Sequence, residues 1–229
     1  MSSIKIVLYI ISVTILLLTS SIYFSEKNSS ERKFLNMLKN NALDSEIIWN
    51  YLSHHQHKID SYYDTALQLA ALDNIKYLHE VIYYYTHGSF ILNVSTANRI
   101  LQQLPSSSTA INHAAGRIYS THEFGHYNLN QAAHHLEYAA LTGDKNAAET
   151  LSIIYAESAC LVEAVTWAKV ANSRDLSSEC SKLPVDVNRL SNEEWDAVIY
   201  NEEALEKSIK NNSIASLKYS SDCTLTTNQ

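Results

Sequence analysis

A chain of 229 residues has room for one domain of ordinary size plus a targeting segment, and at 46% hydrophobic and 18% charged residues most of it can bury a core. Four glycines and two prolines are too few for the frequent turns of an all-β fold, so the composition points to an all-α protein. A formal charge of −7 leaves no basic surplus to displace counterions from a phosphate backbone, and no run of Lys and Arg interleaves with aromatics; nucleic acid is not an expected partner.

Ile6 to Phe24 is a 19-residue run without a charge, preceded by the lone Lys5. A helix rising about 1.5 Å per residue would cross most of a hydrocarbon core over that length. Residues 1–25 are therefore expected to form either an uncleaved single-pass anchor or a signal peptide cut near Thr19-Ser20-Ser21. The length of the run and the lack of an Ala-x-Ala site favour the anchor. No Cys follows the run to accept a lipoprotein acyl group. Lys27, Arg32, Lys33 and Lys39 follow it, which by the positive-inside rule would keep the bulk cytoplasmic. Glu26 and Glu31 dilute that signal, and signal-like N-termini export the chain behind them, so the bulk is expected on the exported, periplasmic or extracytoplasmic side. Asn28-Ser29-Ser30-Glu31 is expected to be a polar hinge.

Residues 32–104 show apolar positions at three- and four-residue spacing, as in Phe34-Leu35-Leu38, Ile47-Ile48-Tyr51-Leu52 and Ala66-Leu69-Ala70, leading into Ile75-Leu78-Ile82. They are expected to be degenerate helical repeats, with turns at Asp73-Asn74 and His87-Gly88-Ser89. His54-His55-x-His57 suits a solvated helix end and receives no ligand role. Tyr83-Tyr84-Tyr85 suits the core and rim of one packed helix better than a peptide-binding surface.

Pro105-Ser106-Ser107-Ser108-Thr109 breaks the pattern and offers N-caps. Beyond it, over residues 105–176, a repeat is visible. Ala115-Gly116-Arg117-Ile118-Tyr119 recurs 36 residues later as Leu151-Ser152-Ile153-Ile154-Tyr155. Ala132-x-x-His135-Leu136-x-x-Ala139-Ala140 recurs 32 residues later as Ala164-x-x-Trp167-Ala168-x-x-Ala171-Asn172, the second unit having lost four loop residues. Periods of this size mark helix–turn–helix units stacked as a solenoid.

These units resemble the Sel1-like repeats, relatives of the tetratricopeptide repeats, whose pattern runs Leu-Gly-x-x-Tyr, a short Gly-bearing loop ending in an acidic position, then Ala-x-x-Trp-Tyr-x-x-Ala-Ala-x-x-Gly. Gly116 and Tyr119 fit the first helix, Asn128 falls at the acidic position, and Ala132, Ala139, Ala140 and Gly143 complete the unit. Tyr155, Ala164, Trp167 and Ala171 are the matching positions of the second unit. Departures are Ala115 for Leu, His122 and Phe124 for loop glycines, and His135-Leu136 for Trp-Tyr. The resemblance covers about residues 110–174 and implies a helical solenoid acting as a protein-interaction scaffold or adaptor, with no cofactor.

The small residues suit close helix packing, with Gly116 expected near Ala139-Ala140. Gly143 is expected to end a helix in the left-handed conformation and Asp144 to cap the next. In a stacked array the first helix of each pair lines a groove. With first helices at about 109–120 and 145–155, the expected groove-facing residues are Asn112, His113, Arg117, Glu149 and Ser152, and they are the candidate binding site for another protein. Glu137 and Lys169 are expected on the outer wall.

His122-Glu123-Phe124-Gly125-His126 matches the zincin signature His-Glu-x-x-His. On a helix it would place His122 and His126 as zinc ligands and Glu123 as general base, making the chain a zinc-dependent metallohydrolase. Against that alternative, the motif occupies a repeat loop whose flanks match without gaps, Gly125 and Asn128 are poor helix formers, and no third ligand follows at metzincin spacing, His134 and His135 lying too far on. Of the three cysteines, Cys160 and Cys180 are nearest in sequence and are the expected pair in an oxidising compartment, leaving Cys223 odd; free thiols in a reducing one are the alternative. Residues 185–229 are expected to hold a capping helix, begun by the capping box Ser191-Asn192-Glu193-Glu194, and a polar tail.

Overall fold

The computed structural model describes residues 3–55, 61–88, 90–171 and 190–210 together with 223 and 225, and of residues 3–13 and 16 the backbone alone. Among the described residues there are ten helices and no strand, so the expected all-α class is observed. The chain divides into two compact units, Met1–Leu78 and His79–Gln229.

In the first unit α1 (Ser3–Lys39) is a helix of 37 residues that continues unbroken through Asn28-Ser29-Ser30-Glu31, where a hinge was expected. Neither Gly nor Pro interrupts the backbone ladder there, and Ser30 is buried against the unit. The helix stops at Asn41, whose φ of 51° is left-handed, with the Ala42 amide donating to the Met37 carbonyl at 3.1 Å. Asp44 then caps α2 (Ser45–His54), accepting from the Glu46 and Ile47 amides at 2.9 and 3.2 Å. Phe34 of α1 stacks on Tyr51 of α2 with ring centroids 4.3 Å apart, and α3 (Ser61–Asp73), packed on α2, buries Ala66, Leu67 and Ala71. His55 is buried and stacked on Tyr51, a correction to the solvated helix end; His57 lies outside the described residues.

No helix is long and apolar enough to cross a membrane among the described residues. Residues 6–13 and 16 of the expected span lie outside those whose side chains are described. The span's large apolar side chains that are described, Ile15, Leu17, Leu18, Ile22, Tyr23 and Phe24, are all between 55% and 66% exposed.

Asn74 separates α3 from α4 (Ile75–Thr86) as expected, its side chain accepting from the Lys76 amide at 3.0 Å. The second unit continues with α5 (Val94–Leu101), α6 (Thr109–Tyr119), α7 (Leu129–Leu141), α8 (Lys145–Glu157), α9 (Leu161–Ala171) and α10 (Asn192–Lys210). Tyr85 is core, Tyr83 is exposed and Tyr84 lies between, as a packed helix requires. α6 and α7 form one hairpin and α8 and α9 a second; α8 also packs on α7, and α10 on α9. Thr109 at the start of α6 meets Thr142 at the end of α7, their hydroxyls 2.8 Å apart, so the first pair is antiparallel. Gly143, with φ of 100°, ends α7 by donating to the Ala140 carbonyl at 2.9 Å, while the Asp144 amide donates to Ala139 at 3.0 Å. Asp144 caps α8 as expected. The Ser191 amide donates to Glu194 at 2.7 Å and the Glu194 amide returns to the Ser191 hydroxyl at 3.3 Å, the expected capping box.

Gly116 makes the closest approach between α6 and α7. A Cβ on it would lie 2.9 Å from Leu136 Cδ2, nearer still to Leu136 Cγ, and 3.1 Å from the Ala132 carbonyl. The opposing residues are thus Ala132 and Leu136 rather than the expected Ala139 and Ala140. In an antiparallel pair, positions equally far from the connecting loop face each other, and Ala139-Ala140 lie at the other end, beside the turn into α8. Ala132, Leu136, Ala139, Ala140, Tyr155, Ala164, Trp167 and Ala171 share one buried cluster, with Tyr119 packed on its edge. Leu136 is fully buried and cannot swing away, so Gly116→Ala should destabilise the protein by about 1–3 kcal/mol in denaturant titration. A loss below about 0.5 kcal/mol, the usual size of a surface change, would mean that the approach is not close.

Candidate functional site

α6 is buried nearly all round. Tyr85 of α4 accepts a hydrogen bond at its carbonyl from Arg117 and lies beneath its guanidinium, 4.5 Å from ring centre to charge. Burial pushes the Tyr85 hydroxyl up to about 12, with Arg117 opposing. Asn112 and His113 are 4% and 1% exposed. The Asn112 amide donates to the Ser106 and Ser108 carbonyls at 2.7 and 3.0 Å, and its oxygen accepts from His135 Nδ1 at 2.8 Å. His113 Nδ1 donates to Asp144 Oδ2 at 2.8 Å, while Asp144 Oδ1 accepts the Asn146 and Ala147 amides. Ser152 is buried on α8 and donates to the Glu149 carbonyl.

The five expected groove residues therefore separate. Asn112, His113 and Ser152 are inside, and Arg117 is half-buried and engaged by Tyr85. Packing by α4, α5 and α7 fills the face of α6 that a groove would need. Glu149 alone of the five is exposed, and Asn146, Ile153 and Glu157 are exposed with it. Their spacing of three and then four residues puts all four on one face of α8. Ile153, 42% exposed in the middle of that stripe, was missed in the sequence because its repeat partner Arg117 is polar and engaged.

The outer positions also differ from expectation. Glu137 accepts from the Tyr155 hydroxyl at 2.9 Å, and burial raises its carboxyl above the ordinary range despite that bond. Lys169 pairs with Glu202 of α10.

His122 to His126 form a loop, not a helix. Gly125 there has φ of 72°, and Asn128 closes the loop, its amide donating to the Tyr119 carbonyl at 2.8 Å and its side chain capping α7. His122 stacks on Tyr127 with centroids 3.7 Å apart, and His126 Nε2 donates to Asn98 Oδ1 at 2.5 Å. The helical face that would aim both imidazoles and Glu123 at one zinc ion is not formed.

Cys160 is joined to Cys223, Cα atoms 5.7 Å apart, and not to the expected Cys180, which lies outside the described residues. Sequence proximity was a poor guide because the chain after α10 returns to the α8–α9 turn. Glu163, 5% exposed, brings a carboxylate oxygen within 4.8 Å of both sulfurs. A cleft of about 340 Å³ opens beside the α7–α8 turn, with Ala148, Val170 and Ile209 as apolar lining and Lys145, Glu206 and Lys210 as charged lining. Nothing local in the sequence signals it, since α10 supplies one wall.

No known protein family, curated protein or solved structure matches this chain.

The His113–Asp144 contact ties α6 to the cap of α8. Burial acts to raise the Asp144 carboxyl, but the bond and charge of His113 and the two amides outweigh it and hold it below its ordinary value of 3.8. A carboxyl depressed on folding contributes stability above its unfolded value, and that stability is lost as pH falls through the folded one. Unfolding free energy should therefore decline as pH drops below 3.8. Asp144→Asn, which keeps a capping oxygen, should flatten that decline, and Asp144→Ala should cost about 0.5–2 kcal/mol at neutral pH, the range of a lost cap. An unchanged acid limb would show that Asp144 is not held below its ordinary value.

Proposed function

We propose that this chain is a membrane-associated scaffold of Sel1-like helix pairs that binds another protein on the open face of α8. The observation that carries the reading is the pairing of two successive helical hairpins, whose buried small residues leave one large apolar side chain, Ile153, exposed between acidic Glu149 and Glu157. A rigid helix with an apolar centre and charged flanks has the make-up of an interaction surface: burial supplies affinity and the charges set partner choice and encounter rate. A partner with basic residues around an apolar pocket fits that stripe.

Membrane association is supported by α1, whose large apolar side chains described between Ile15 and Phe24 are all more than half exposed. A helix that exposes large apolar side chains in this way suits lipid rather than water. The Cys160–Cys223 disulfide supports an exported location for the second unit, since such bonds persist in oxidising compartments. That outweighs the four basic residues after the apolar run, which two glutamates dilute.

The anchor is tested by fractionation. The intact chain should stay with membranes through a carbonate or high-salt wash, and recovery of a mature form beginning near Ile22 would establish a cleaved signal peptide instead.

The α8 surface is tested by in-cell cross-linking from a photoreactive residue at Asn146, read by mass spectrometry. Ile153→Asp and Glu149→Lys should each cut capture of the cross-linked protein by roughly tenfold, about 1.4 kcal/mol, with the thermal midpoint nearly unchanged. Gln131→Lys, exposed on α7, should have no effect. Loss of capture with Gln131→Lys but not with the α8 changes would move recognition to the outer helices and overturn the proposal.

A further inference from the structure

We propose that Cys160, Glu163 and Cys223 form a zinc site, filled when the disulfide between the two cysteines is reduced, with a water as the fourth ligand. The site needs no partner protein and stands apart from the α8 surface.

The three side chains already converge. Both sulfurs and a Glu163 carboxylate oxygen lie within 4.8 Å of one another. Zinc takes thiolate sulfur at about 2.3 Å and carboxylate oxygen at about 2.0–2.2 Å, so a tetrahedral ion holds such atoms about 3.6–3.8 Å apart. The two sulfurs, now bonded, need only part to that distance.

Glu163 is what marks the cluster as a ligand set. It is 5% exposed, and its carboxylate has no hydrogen-bond or ion-pair partner among the described residues. In the first turn of α9 it stands where a glutamate closes a capping box on the amide three residues before, but the Cys160 amide donates to the Tyr155 carbonyl at 2.9 Å instead. The Tyr155 hydroxyl is spent on Glu137, and Lys169, the basic residue of α9, on Glu202. A carboxylate taken out of water without a donor is costly unless a cation meets it.

The donor set selects the metal. Two thiolates are too soft for calcium or magnesium, and with one carboxylate they suit zinc. Around a divalent ion these three leave one net negative charge, which the positive end of α9 offsets. Cys160 stands at that end, its carbonyl accepting from the Ala164 amide at 3.0 Å. Cys223, only partly buried, is the side from which water reaches the ion. Cys223 and Leu225 also pack on the buried cluster that contains Cys160, which keeps the third ligand close once the bond is open.

A dithiol reductant opens the bond by two exchanges. It closes its own disulfide, and Cys160 and Cys223 take up the two electrons and two protons. Zinc then binds both sulfurs as thiolates, and their two protons pass to water. The ion fastens Cys223 to the α8–α9 turn in a reducing environment, as the disulfide does in an oxidising one.

The test uses the full chain in detergent with Cys180→Ser, so that only this pair of thiols remains. The chain is reduced with a phosphine and titrated with cobalt(II) as a spectroscopic stand-in for zinc. A single equivalent should bind with thiolate-to-cobalt charge transfer in the near ultraviolet and the visible bands of a tetrahedral ion, and zinc should displace it. The oxidised chain should lack the charge transfer, which cobalt held by histidines elsewhere does not produce. Glu163→Gln should keep the charge transfer but weaken binding by at least about tenfold, the least that losing even an outer partner of a metal ligand costs. No charge transfer in the reduced chain, or equal affinity with Glu163→Gln, overturns the proposal. Alkylation covers the case in which that variant misfolds. On the reduced Cys180→Ser chain one equivalent of zinc should protect Cys160 and Cys223 together from iodoacetamide, and protection of neither, or of one alone, sinks the site. Cross-linking at α8 reads the scaffold function separately, so either idea can fail without the other.

Discussion

The approach of α6 to α7 at Gly116 is the constraint on which the second unit depends. With no side chain there, the Ala132 backbone and the fully buried Leu136 come close enough to fill the space a Cβ would take. Helices that approach so closely take the polar groups on their shared faces out of water, and most such groups find a protein partner. Asn112 spends its amide on the turn before α6 and its oxygen on His135 of α7. His113 reaches the next hairpin at Asp144. The hydrogen bonds that Asn112 and His113 make are thus the same ones that tie α6 to α7 and α8. A single missing side chain fixes the spacing, and the spacing dictates which polar residues become internal ties.

That coupling explains why some features were legible in the sequence and others were not. The hairpin bounds and caps were legible because they depend on local chemistry: Ser108, Asn128, Asp144 and Ser191 each accept an amide within their own first turn. Gly143 ends α7 for an equally local reason, its freedom to adopt φ of 100°. The loop character of the His-Glu-x-x-His stretch was legible from Gly125 and Asn128. Which side chains face outward was not legible, because it is decided by Tyr85, Asp144 and Glu202, each about 30 residues away from its partner. The polar character of Asn112 and His113 read as surface, yet both are buried and hydrogen-bonded to His135 and Asp144, with His113 Nε2 left without a partner among the described residues. The continuity of α1 was missed for the opposite reason: serines and asparagine weaken a helix only slightly, too little to break one whose flanks are strongly helical.

Cysteine pairing shows the same limit. Cys160 is nearer to Cys180 in sequence, but the fold brings position 223 back to the α8–α9 turn. Ala159 in that turn takes a left-handed φ of 60°, unusual for a residue with a Cβ, and its amide donates to Ala156 at 3.0 Å while Cys160 donates to Tyr155 at 2.9 Å. The turn that presents the sulfur is therefore held by the backbone bonds that end α8, and the disulfide joins a site whose geometry the helix end already sets.

α8 consequently carries three different duties along its length. Its first turn receives the Asp144 cap and, through it, the tie to α6. Its middle is buried against α7 and α9 by Ala148, Leu151 and Tyr155 while turning Glu149 and Ile153 outward. Its end presents the turn to which Cys223 is fastened. A binding surface gains most from a helix fixed at both ends, because little conformational entropy is then left to lose on association. α6 is as firmly held but has spent its faces on packing; α10 has Ile199 and Tyr200 exposed but closes only one side of the array. Among these, α8 alone combines a rigid frame with an open apolar and charged face, which is why recognition is proposed there and not on the helix that the repeat pattern first pointed to.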